Sequence, residues 1–157
     1  MVVGIVATAA VDAYALWPRN ALDDVTFITL KGERIQLRDL RGKIVLVNFW
    51  ATTCPACVKE MPELVKTYER YRARGLEIVA VAVSYDPPAL VKEFAAKNGL
   101  LFPVVPDTQE EIAKAFGGVK VVPTTFVLDK KGQLVSRTLG MIAFDKLHVF
   151  LDEQLGR

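Results

Sequence analysis

Two segments of the chain, Ile44–Trp50 (IVLVNFW) and Glu77–Val83 (EIVAVAV), are almost continuously apolar and rich in β-branched residues. Runs of this kind lack the alternation of a half-solvated strand, and they predict strands buried on both faces of a sheet. Between them the period changes. From Pro55 the apolar residues Met61, Leu64, Val65 and Tyr68 recur at helical spacing, and the pattern continues to about Ala73 with Gly75 as its stop. Pro62 inside this helix removes a ladder bond and predicts a kink. Strand, helix and strand in this order predict a right-handed βαβ unit and hence a parallel sheet.

Val25–Leu30 and Arg34–Leu37 alternate on either side of Lys31-Gly32 and predict a β-hairpin, with Asp39–Gly42 as a turn into the first buried strand. After Asp86-Pro87-Pro88 a helix is expected up to Asn98-Gly99, then a short strand at Phe102–Val105. Asp107 is placed to cap a helix running through Phe116, with Glu110 in the third position of a capping box. Thr124–Leu128, the turn Asp129–Gly132 and Leu134–Leu139 predict a second hairpin. A last amphipathic helix, Phe144–Leu155, turns Leu147, Phe150 and Leu151 to the core.

A chain of 157 residues has room for one domain with a sizeable core. Its net charge is only +2 and its basic residues are scattered, which argues against a nucleic-acid surface. The 52% hydrophobic content is raised by Met1–Ala15. That stretch is broken by Asp12, is shorter than the roughly 20 apolar residues of a membrane span, and lacks the basic n-region of a signal peptide. It ends in Ala13-Tyr14-Ala15, which is like an export cleavage site, so residues 1–20 are read as the end of an export signal or membrane anchor plus a spacer at Trp17–Asn20. The other reading, which suits Asp12 better, is a terminal strand or helix packed on the domain. Residues 21–157 form the domain proper.

The two cysteines of the chain, Cys54 and Cys57, fall where the first buried strand gives way to the helix. Pro55 suits a first helical position, so Cys54 lies at or just before the N-cap and Cys57 in the first turn. A Cys54 thiolate there would face unpaired N–H groups and the positive end of the helix dipole, which lowers its pKa. Cys57, three residues on, shares its face and can attack a mixed disulfide formed at Cys54. A zinc site would need four ligands, and His148 is the lone histidine. A purely structural disulfide closing so short a loop would remove little chain entropy. Dithiol–disulfide exchange is the leading reading of the pair.

Several pieces in order carry a family resemblance: Asp39-Leu-Arg-Gly-Lys43, Asn48-Phe-Trp-Ala51, Cys54-Pro-Ala-Cys57, Glu60, Pro62 and Val122-Pro-Thr-Thr-Phe126. From about Asp24 onward the chain resembles thioredoxin-fold proteins of the TlpA/ResA type, exported thiol-disulfide oxidoreductases that include cytochrome c maturation reductants. The resemblance implies an α/β thioredoxin fold with an N-terminal β-hairpin and a strand-helix insertion, between Tyr85 and Phe116, before the cis-proline strand. It implies that Pro123 is that cis-proline, an edge-strand proline being the other reading, that the Val122 backbone pairs with an extended substrate beside Cys54, and that Trp50, Pro55 and Thr124 complete the substrate surface. Glu60 matches a carboxylate held near the cysteine pair, able to relay the proton of Cys57; a solvated Glu60 on the helix surface is the alternative. Asn48 stands where plain thioredoxins have a buried Asp, and an amide takes no proton. Trp50 is equally explicable as core or rim.

The expected activity is protein-disulfide reduction through the Cys54–Cys57 pair, with no further cofactor. Client proteins would be an apocytochrome c or metal-centre assembly proteins, and a membrane thiol donor would return the electrons. The expected setting is periplasmic or otherwise extracytoplasmic, tethered by the N-terminus, as a monomer without nucleic-acid partners. Three other readings stay open. A peroxiredoxin would place Thr-x-x-Cys at the helix, whereas Thr53 directly precedes Cys54. A copper-delivery protein would need a wider cysteine pair and a placed histidine, and His148 is expected at the surface. A non-enzymatic module would hold partners in the groove beside Cys54.

Overall fold

A strand without polar alternation has to be covered on both sides, and the computed structural model, which describes residues 21–156, meets that demand. The chain runs β1 (Thr26–Ile28), β2 (Arg34–Gln36), β3 (Ile44–Trp50), α1 (Pro55–Tyr71), β4 (Leu76–Ala82), α2 (Pro88–Lys97), β5 (Val104–Pro106), α3 (Glu111–Ala115), β6 (Thr124–Leu128), β7 (Leu134–Leu139) and α4 (Phe144–Leu155). Single 3-10 turns lie at Leu37–Leu40 and Arg72–Arg74. The main sheet has the order β5-β4-β3-β6-β7. β3 pairs parallel with β4 and antiparallel with β6. β1 and β2 form the expected hairpin, tied to β5 by the Leu30 N–H donating to Val104 O at 2.9 Å.

The period of β3 sorts its side chains into two cores. Ile44, Leu46 and Trp50 pack with Met61 and Leu64 of α1 and Leu151 of α4. Val45, Val47 and Phe49 pack with Phe126, Phe116 and Phe27 on the opposite face. Phe49 contacts both Phe116 and Phe126 edge-on, with ring centroids 5.8 Å apart. Side chains on both faces of one strand make β3 the centre of the molecule, and its carboxyl end is where α1 begins. Open α/β sheets place their chemistry at that end.

As expected, α1 runs on through Pro62, which is exposed. Two details differ from the sequence reading. β4 and β5 are offset from their expected spans by one or two residues. The capping box does not form: Glu110 takes a left-handed conformation (φ 59°), α3 starts at Glu111, and the Glu110 carboxylate accepts from Ser84 Oγ instead. Asp107 still caps, from further away, by accepting the Ile112 and Ala113 N–H groups at 3.1 and 2.9 Å. The export-signal, spacer and cleavage readings of residues 1–20 fall outside the described residues. Among the described residues no helix is long and apolar enough to cross a membrane.

Candidate active site

The junction of β3 and α1 fixes the cysteines. Cys54 is the N-cap of α1 with extended backbone (φ −95°, ψ 107°), and Pro55 is the first helical residue. The Cys57 N–H donates to Cys54 Sγ at 3.2 Å, and the Val58 N–H donates to Cys54 O at 3.0 Å. Cys54 and Cys57 are joined in a disulfide. Cys54 is half-buried while Cys57 is 1% exposed, so only the outer sulfur presents a face to another molecule. The same N–H that meets the sulfur now would stabilise a thiolate after reduction.

Opposite the pair, the Val122–Pro123 bond is cis. It leads into β6, and Val122 O lies 3.7 Å from Cys54 Sγ. Gly140 donates its N–H to Pro123 O at 2.8 Å, so the loop after β7 closes over this segment. Val122 is half-buried and Pro55 exposed, both reachable from outside. Trp50 and Thr124 are not. Trp50 is fully buried against the Phe94 ring, with centroids 5.1 Å apart, because the strand period turns it under α1; it belongs to the core and not to a substrate rim. Thr124 is fully buried and its hydroxyl donates to Val121 O at 2.7 Å.

Glu60 is not a surface residue. It is 1% exposed, because it follows Cys57 by three positions and precedes Leu64 by four, on the face of α1 that packs on the sheet. One carboxylate oxygen accepts from Asn48 Nδ2 at 3.1 Å and the other from the Ile142 N–H at 2.7 Å. Burial pushes its pKa above the usual 4.5, and the Ile142 and Asn48 bonds oppose that rise. Asn48 also donates to Thr125 Oγ1 at 2.9 Å, and its own Oδ1 has no partner among the described residues. The position that holds an acid in plain thioredoxins here orients one.

Sequence reasoning treated Asp86 only as the lead-in to α2 and passed over Thr52 and Thr125. Asp86 is 2% exposed and accepts two hydrogen bonds from Thr52, directly upstream of the cysteines. Nothing local announces such a contact between residues so far apart in the chain. His148 is half-buried between α1 and α4, with Nε2 2.9 Å from Thr67 Oγ1, and not a surface residue as expected. Among the described residues no group of three or more His, Cys, Asp or Glu side chains is placed to hold a metal ion.

Comparison with known proteins places this geometry. The AhpC/TSA family profile matches residues 18–137. The chain is 38% identical over 135 residues to the thiol-disulfide oxidoreductase ResA of Bacillus subtilis, covering 86% of this chain and 72% of that protein. It is 37% identical over 123 residues to ResA of Halalkalibacterium halodurans, covering 78% and 69% of the two chains. Among solved structures, a putative thioredoxin from Neisseria meningitidis superposes with a TM-score of 0.79 at 34% identity, covering 85% of this chain and 89% of that one. The fold is therefore thioredoxin-like, and the chain belongs to the AhpC/TSA family as a thiol-disulfide oxidoreductase of the ResA type, whose redox CxxC the Cys54–Cys57 disulfide fits.

Proposed function

We propose that the protein works outside the cytoplasm as a reductant of protein disulfides, tethered to the membrane through its N-terminus and acting as a monomer. Its clients would be an apocytochrome c or metal-centre assembly proteins, and a membrane dithiol donor would supply the electrons. The observation that carries the direction is the burial of Glu60 one helical turn beyond Cys57, on the same face of α1. A carboxylate there disfavours thiolate at the pair once it ionises. Destabilising the reduced form moves the equilibrium toward disulfide, the reverse of the strong oxidant DsbA, whose reduced form is stabilised.

In the reductive direction the Cys54 thiolate attacks one sulfur of a client disulfide. The client S–S bond breaks, its other sulfur leaves as a thiolate, and a Cys54–client mixed disulfide forms. Cys57 then loses its proton, with the buried Glu60 carboxylate one helical turn on as its acceptor, and attacks Cys54 Sγ. The second client sulfur leaves, and the two client thiolates take up the proton released by Cys57 and the one released when Cys54 ionised. The client has gained two electrons and two protons, and Cys54–Cys57 is the disulfide found in the structure. The membrane dithiol returns both electrons by the same exchange in reverse. Val122, with its carbonyl beside Cys54, supports backbone pairing with an extended client segment.

The test is the reduction potential of the Cys54–Cys57 pair, measured in graded thiol buffers. A value near thioredoxin's, about −270 mV, is expected, and a value near DsbA's, about −120 mV, would overturn the reductant assignment. Cys54→Ser is expected to abolish client reduction, and Cys57→Ser to accumulate the mixed disulfide. No observation among the described residues favours a peroxidase, a copper carrier or a non-enzymatic module.

A further inference from the structure

The turn that delivers Cys54 to α1 is made of residues poorly suited to it. The Cys54 N–H donates to Ala51 O at 3.2 Å, so Ala51–Cys54 is a β-turn with Thr52 and Thr53 at its corners. Threonines bring less of the conformational bias that Gly, Pro, Asn or Asp give such corners, and their branched side chains are stiff. The N–H of the first corner residue has no partner within the turn, and a donor left unpaired away from water is costly.

The partner comes from the end of the neighbouring strand. Asp86 Oδ2 accepts the Thr52 N–H at 2.6 Å and Oδ1 accepts the Thr52 hydroxyl at 2.7 Å. Asp86 is itself held, its N–H donating to Val83 O at 3.0 Å, while the Val83 N–H donates to Trp50 O at 3.1 Å. The turn after β4 is thus laced to the chain on both sides of Ala51. Asp86 is 2% exposed and forms no ion pair with Lys, Arg or His among the described residues. A buried carboxylate without a cation is a poor device for stability alone. Both of its oxygens are spent on one residue, two positions before the reactive sulfur.

We propose that Asp86 is a positioning residue for disulfide exchange: its carboxylate clamps Thr52 and thereby fixes Cys54 Sγ against the Cys57 N–H. The 3.2 Å contact between that sulfur and that N–H is what stabilises the Cys54 thiolate, and it lies directly downstream of the clamped turn. A turn free to shift by a few tenths of an ångström loses the alignment, because hydrogen bonds weaken steeply with misdirection. The inference rests on the exchange activity of the family and is independent of the direction of electron flow, the clients or the tether.

The experiment uses the full-length chain, reduced, and follows the pH dependence of alkylation of the pair by iodoacetamide together with the rate of disulfide exchange. Thr52→Val, which removes one of the two bonds from a half-exposed position, should raise the apparent pKa of the outer thiol. It should also slow exchange at neutral pH by on the order of tenfold. Thr52→Ser, which keeps the hydroxyl, should retain the wild-type profile. In an Asp86→Ala background, adding Thr52→Val should change the rate by less than about twofold, since the hydroxyl has then already lost its partner. The clamp is overturned if folded Thr52→Val keeps the wild-type profile, if Thr52→Ser shifts it as far as valine does, or if the valine effect is undiminished in the alanine background. Should Asp86→Ala not fold, the valine and serine variants decide the matter between them.

Discussion

Glu60 costs the folded protein more when ionised than when neutral, and the sign of that cost can be measured. Its pKa is raised above 4.5 in the folded state, chiefly by burial. Below pH 4.5 the carboxyl is protonated both folded and unfolded. As pH rises past that point the unfolded chain releases the proton first, so the folded state binds more protons and stability falls with pH up to the folded pKa. Glu60→Gln removes this slope. The amide oxygen can accept from the Ile142 N–H, and its NH2 can donate to Asn48 Oδ1, now without a partner, once the Asn48 amide reverses. The glutamine variant is therefore expected to match or exceed wild type by about 1 kcal/mol at pH 7, and to lose that advantage near pH 4.5. Glu60→Ala should lose about 2–4 kcal/mol at either pH, because it takes the acceptor from one Asn48 N–H and from the half-buried Ile142 N–H and opens a cavity. Urea denaturation at the two pH values reads both effects. An equal difference between wild type and Glu60→Gln at both would show that Glu60 does not titrate in this window. The same glutamine variant should shift the thiol pKa values of the pair if Glu60 handles the proton of Cys57.

At the scale of elements, what could be read from sequence was what a buried sheet imposes on composition. β3 and β4 carry nearly continuous apolar runs because both faces are covered, and α4 spans the expected Phe144–Leu155 because its apolar stripe has one sheet to meet. The buried face of α1 consists of Cys57, Glu60, Met61, Leu64, Thr67 and Tyr71, so the helical period alone puts Glu60 inside; the neighbouring charges Lys59 and Glu63 obscured it. Trp50 became legible only once α1 was placed, since either face of β3 is apolar. The Thr52–Asp86 and Asn48–Thr125 bonds had no local signature, being contacts between separate strands and turns. The start of α3 was misread because Asp107 and Glu110 have capping-box spacing, while the chain instead turns left-handed at Glu110. That difference gives a contrast. Asp107→Ala, which strips the cap from two N–H groups, should cost about 1–3 kcal/mol, whereas Glu110→Ala at an exposed position should cost less than about 0.5 kcal/mol. Comparable losses in urea denaturation would restore the capping-box reading.

At the scale of the whole molecule, the redox state of the pair and the stability of the fold are one linked quantity. Both hydrophobic cores pack on β3, and the cysteines sit at the join of β3 and α1, so the pair cannot be released without unfolding the centre of the domain. Folding and reduction then form a closed cycle: if the folded pair is more reducing than the same pair in the unfolded chain, the disulfide must stabilise the fold by the matching free energy. Each 30 mV of that gap corresponds to about 1.4 kcal/mol, and in a domain of this size 1 kcal/mol moves the melting temperature by about 2–4 °C. A reductant is therefore expected to melt several degrees higher as the disulfide than as the dithiol. Glu60 contributes to the difference, since its burial beside the pair weighs against thiolate in the reduced form. Calorimetry of the oxidised and reduced protein at one pH makes the comparison without any client. A dithiol form that melts above the disulfide form would mean that the fold favours reduced cysteines, as in a disulfide donor. The reductant reading would then fall, while the fold and the exchange chemistry of the Cys54–Cys57 pair stood.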